Sequence, residues 1–149
     1  MIALRLLATV AAALLAFGNP PQDPAAARAP AFRVLDVVVD TGAIPLAAWQ
    51  LEVTVEGAAL VGVEGGEPTA FRDAPRYDPK ALQGDRIVLA ALAAGDELPR
   101  GKLRVARLHV TTDGSREPLT PVLRSAVTAD AEGRRFEAHL EFQASGEGR

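Results

Sequence analysis

Residues 45–66 read PLAAWQLEVTVEGAALVGVEGG. In the first half Trp49, Leu51, Val53 and Val55 alternate with Gln50, Glu52, Thr54 and Glu56. A period of two places successive side chains on opposite faces of an extended strand, so the apolar set lines one face and the polar set the other. Gly57 ends the run, Ala59–Val63 takes it up as a second strand, and Gly65-Gly66 reads as a turn. Trp49 shares its face with Leu51, Val53 and Val55, which makes it a core residue rather than a platform for a ligand.

The same period returns elsewhere. Phe136, Ala138, Leu140 and Phe142 alternate with Glu137, His139, Glu141 and Gln143, and Asp130-Ala131-Glu132-Gly133 joins that strand to Val122–Ala129 as a predicted hairpin. Val34–Val39, Ile87–Leu92 and Leu103–Thr111 are further strands, and the inward phase slips between Val105 and Ala106, which predicts a bulge. Helix is scarce: one turn from Pro79 to Leu82, capped by Asp78, is the single candidate. Short strands separated by Gly/Pro turns predict an all-β chain, an antiparallel two-sheet β-sandwich of about 7–9 strands. About 20 apolar side chains, each contributing roughly 1.5–3 kcal/mol on burial, would offset chain entropy by packing alone. No cysteine is present to help.

The 149 residues suit one domain, and 48% hydrophobic with 23% charged residues is a globular composition. Met1–Arg5 is a short positive start and Leu6–Phe17 an apolar run, and Ala16-Phe17-Gly18 offers small residues at the two positions a signal peptidase inspects. This predicts a signal peptide over residues 1–18, cleaved after Gly18, and export to the periplasm or beyond. The apolar run is shorter than the roughly 18 residues a membrane span needs, so no span is expected after cleavage. Asn19–Ala31 is a Pro/Ala-rich linker, residues 32–144 the sandwich, and residues 145–149 a disordered tail. With Arg5 removed, 15 basic face 19 acidic residues, a balance that argues against nucleic acid as a partner.

Three stretches carry a family resemblance. Ala47-Ala48-Trp49-Gln50-Leu51 opens a strand, Asp85-Arg86-Ile87-Val88-Leu89-Ala90 follows a glycine, and Gly101 to Leu108 has the pattern Gly-x-x-x-Val-Ala-x-Leu. Together they cover about residues 34–111, and here the chain resembles the cohesin family and its relatives in the carbohydrate-binding-module superfamily. The resemblance implies a jelly-roll-like sandwich on an exported protein, often used to hold another protein. The Tyr-Asp-Pro that often follows the family's aromatic strand is replaced by Glu56-Gly57-Ala58, and Tyr77-Asp78-Pro79 falls in a later loop. No partner-contacting residue of the family maps onto this chain.

Candidate sites follow from residue chemistry. PTAFRDAPRYDP, residues 68–79, holds two of the six aromatics left after signal removal. If a ligand is bound, Phe71, Arg72, Asp73, Arg76 and Tyr77 are the residues to touch it; otherwise the two rings anchor the loop. Asp73, Asp78 and Asp85 lack the spacing of a calcium loop, and His109 and His139 lie on polar phases of strands, so no metal or other cofactor is expected. Arg104, Arg107 and His109 form a modest positive stripe on one strand. There is no Gly-x-Ser-x-Gly elbow, and serine occurs only at 115, 125 and 145. The remaining catalytic option is a carboxylate pair such as Glu52 with Glu141. The expectation is a non-enzymatic interaction or scaffold module with a protein partner, or alternatively a carbohydrate-binding module that contacts a glycan through its loop aromatics.

Overall fold

The computed structural model describes residues 28–145; the expected signal peptide and most of the expected linker lie outside them. Eight strands form: β1 (Ala31–Asp40), β2 (Ala48–Glu56), β3 (Ala58–Gly65), β4 (Arg86–Leu92), β5 (Lys102–Thr112), β6 (Thr120–Ala129), β7 (Arg135–Phe136) and β8 (His139–Ser145). They build two antiparallel four-stranded sheets, β3-β5-β1-β8 (the β1 sheet) and β4-β2-β6-β7 (the β2 sheet). Every connection except β6–β7 crosses from one sheet to the other, and the first and last strands pair, which gives a jelly-roll-like sandwich. Among the described residues no helix is long and apolar enough to cross a membrane.

Trp49, Leu51, Val53 and Val55 are each at most 2% exposed. They meet Leu35, Val37, Val39, Val105, Leu108 and Val110 from the other sheet in one continuous core. A single residue, Gly57, separates β2 from β3 although the two belong to different sheets. Its φ of +73° lies in the left-handed region that glycine enters without steric cost, so the chain turns the corner there at once.

The predicted slip in β5 is a bulge. Val37 pairs with Ala106 and Val38 with Arg104, leaving Val105 unpaired, and Val105 and Ala106 are both buried. Because of the extra residue, Arg104 and Arg107, three apart, reach the same outer face. The predicted turn at Asp130 also forms, with Gly133 N–H donating to the Asp130 carbonyl at 3.0 Å.

The predicted hairpin is corrected. Strand β7 pairs with β6 at only two positions, after which the chain leaves the β2 sheet and β8 pairs with β1 instead. The alternation survives the crossing, since Phe136, Ala138, Leu140 and Phe142 all pack against the core. Crossing lets one apolar phase seal the sandwich from both sheets and gives β1 a second neighbour, which a longer hairpin would leave unpaired.

Residues 66–85 clasp the opposite flank. Phe71 is buried and meets Trp49 edge to face, with centroids 6.3 Å apart and planes at 69°. Arg76 exchanges two backbone hydrogen bonds with Ala90 on β4, and Leu60 on β3 is bonded by Gln83 and Gly84. Asp78 caps a single 3₁₀ turn, Pro79–Ala81, by accepting from Lys80 N–H at 2.9 Å. Gly65 and Gly66 prove to be a packing seam, not a turn. A Cβ on Gly65 would lie 2.0 Å from the Arg72 carbonyl oxygen, and one on Gly66 2.4 Å from that of Arg104.

The outer face of the β1 sheet is a charge ladder. Arg107 grips Asp36 through two bonds of 2.6 and 3.1 Å, and Ser145 donates to the same carboxylate. Arg104 pairs with Glu67 at 3.3 Å, His109 with Glu64 at 2.9 Å, and Lys102 with Glu141 at 2.5 Å. The stripe read as positive is therefore neutralised by its neighbours, and β5, which carries it, is a central strand. Burial raises the Asp36 carboxyl, but hydrogen bonds from Arg107 and Ser145 and the charges of Arg107 and Arg104 outweigh it and hold the group below its ordinary range.

Two outcomes are expected from this packing. Trp49→Ala should cost about 3–5 kcal/mol in urea unfolding, and wild-type tryptophan emission should shift to the red only when the chain unfolds. Asp36→Asn should cost about 2 kcal/mol at neutral pH, because two cations lose their shared partner. A folded value below the unfolded value of about 3.9 contributes stability that is complete above the latter and lost as pH falls through the former. Unfolding free energy should thus drop more steeply in the wild type than in Asp36→Asn as the solution is acidified below about pH 4.

Candidate functional site

The outer face of the β2 sheet differs from the ladder. Register fixes which residues occupy it: Ala48 lies between Leu92 and Ala129, Gln50 between Ala90 and Val127, and Glu52 opposite Val88. These occupy the phase opposite to the buried Trp49, Leu51 and Leu89. Leu92 is 81% exposed and Val88 43%. Toward the Glu52 end the face is polar, where Arg86 meets Glu52 at 2.6 Å. Toward the Ala48 end it is apolar.

At that end a groove of about 730 Å³ opens, with a floor of Ala48, Gln50, Ala90 and Val127. Its size falls within the range of ligand and side-chain pockets. One wall is the Ala70–Arg76 stretch of the clasp, and the inner end reaches Trp49 and Phe71. The Trp49 Nε1 at this end is buried without a hydrogen-bond partner.

The five residues singled out in the loop separate by role. Phe71 is in the core and Tyr77, half-buried, packs against it. Arg72, Asp73 and Arg76 are exposed, and of these Asp73 and Arg76 line the groove. Both rings therefore serve to hold the loop, and their fixing is what presents the charged residues at the rim.

Chemistry is not assembled elsewhere among the candidates. Glu52 and Glu141 lie on the outer faces of different sheets, each beside its own cation. The Ser145 hydroxyl is engaged by Asp36, and that of Ser115 accepts from Glu117 N–H. Among the described residues no group of three or more His, Asp or Glu is arranged to hold a metal ion.

Sequence reading passed over Leu92, Ala90, Val88 and Val127. A signal was present: RIVLAAL, residues 86–92, is apolar on both phases, with Ile87, Leu89 and Ala91 facing in and Val88, Ala90 and Leu92 facing out. Such a strand expects cover on both faces. Comparison with family models, with curated proteins and with solved structures returned no match.

Proposed function

We propose that this chain is an exported, non-enzymatic interaction module with a cohesin-like plan, which holds a protein partner against the outer face of the β2 sheet. The supporting observation is the contrast between the two outer faces. On the β1 sheet Asp36, Glu64, Arg104, Arg107, His109, Lys102 and Glu141 are met by neighbours, so a partner there would have to break existing pairs. On the β2 sheet an apolar groove with an exposed leucine at its rim offers surface whose removal from water favours binding. Export rests on the character of residues 1–18.

Glycan binding is the weaker alternative. Sugar rings stack on flat, exposed aromatic faces, whereas Phe71 is 3% exposed and set edge-on to Trp49. Arg72, Asp73 and Arg76 remain as hydrogen-bonding groups without that platform.

The test is affinity capture from envelope and secreted fractions of the native cell with the full chain as bait. Two variants accompany it: Leu92→Lys in the groove and Glu64→Gln on the ladder. The expected result is a specific protein retained by the wild type and Glu64→Gln, and depleted about tenfold with Leu92→Lys. Equal capture by all three baits would move the contact off this face. Retention on insoluble polysaccharide that Leu92→Lys leaves intact and Tyr77→Ala abolishes would replace the protein partner with a glycan.

A further inference from the structure

We propose that the occupant of the groove is a second copy of this chain, docked on it about a two-fold axis. This rests on reading the outer face of the β2 sheet as a contact surface and adds the identity of what covers it.

The argument is one of self-complementarity. In a two-fold interface every contact is made twice, residue i of one copy on j of the other and j on i, so the patch must carry both halves of each contact. This patch does. Leu92 projects at the rim, 81% exposed, beside a hollow floored by Ala48, Ala90 and Val127 around Gln50. Small residues on most of the floor let a partner's sheet approach closely, and the projecting leucine of each copy is able to enter the hollow of the other.

Charge follows the same rule. Asp73 and Arg76 both line the groove, both are exposed, and neither is in an ion pair among the described residues. A ligand of one sign would be attracted by one of them and repelled by the other. A second copy brings an arginine for each aspartate and an aspartate for each arginine. Isolated rim pairs contribute little affinity, but they select orientation and partner.

Sedimentation equilibrium of the full chain from about 1 μM to 200 μM tests the proposal. A monomer–dimer equilibrium is expected, with Leu92→Lys weakening it about tenfold or more while circular dichroism and the urea midpoint, compared at dilutions where both chains are monomeric, stay unchanged. Arg76→Asp and Asp73→Arg should each weaken the dimer by a few-fold, and the double variant, with the charges exchanged, should restore it. That rescue does not depend on Leu92→Lys folding well. A chain that stays monomeric throughout the range overturns the proposal, as does a dimer indifferent to both Leu92→Lys and the charge reversals. A monomer that still captures a different protein through Leu92 would overturn the second copy while leaving the face itself as the contact.

Discussion

The structure depends on burying Trp49 between two sheets that no disulfide joins. The chain has no cysteine, so the β1 and β2 sheets are held together by apolar contact and by the connections that cross between them. Trp49 sits where β2, the clasp and the opposite sheet converge, and Phe71 closes over it edge to face. That contact does two jobs. It completes the core near the start of β2, and it fixes residues 70–76 as the wall of the groove. The loop can lie so close because Gly65 presents no Cβ to its backbone, just as Gly66 presents none to the backbone of β5. Fold and candidate site thus share one packing interaction, and a change that loosens the indole will move the rim charges with it.

The two outer faces differ in how their side chains are already engaged. The bulge at Val105 brings Arg104 and Arg107 to the same side of β5, within reach of Asp36, Glu64 and Glu67 on neighbouring strands and the adjoining loop. Cross-strand pairs of opposite charge stabilise a sheet modestly and favour one register over its alternatives. They also consume the groups a partner would otherwise use. The β2 sheet has Glu52 with Arg86 at one end and mainly alanine, valine and leucine at the other, so its free binding capacity is apolar and local.

Much of the fold was legible because alternation reports burial directly. Seven strand segments, the β5 slip, the Asp130 turn and the Asp78 cap all follow from residues within a few positions of one another. The switch of β8 to the other sheet was not legible, since the alternation of Phe136 to Phe142 is the same whichever sheet receives it. Gly65-Gly66 misled for a similar reason: a glycine pair marks a turn or a close approach, and the approaching backbone comes from residues 72–73 and 104. Of the groove's lining, Asp73 and Arg76 stand among the loop residues that composition singles out, while Arg72 lies outside it. Leu92 and its neighbours were not, because β4 was read for its inward phase alone.

The edges of the sandwich bear on the proposal that contact is made by a face. A sheet edge is the commonest unintended docking surface, since its free N–H and C=O groups accept any extended strand. On one flank β3 and β4 are occupied by the clasp through Gln83, Gly84 and Arg76. On the other, β7 covers β6 only at Thr128 and Ala129, leaving Thr120–Val127 without a second strand among the described residues. That stretch carries Pro121, which has no N–H to offer, and a bulge where Glu52 pairs with Ser125 and Val53 with Leu123, leaving Arg124 over. Proline, bulge and charge together make a poor template for strand addition. With the β6 edge blunted, the β3 and β4 edges met by the clasp at Leu60 and Ala90, and the central charges of the β1 face paired, the apolar end of the β2 sheet is the surface on which the proposal places contact.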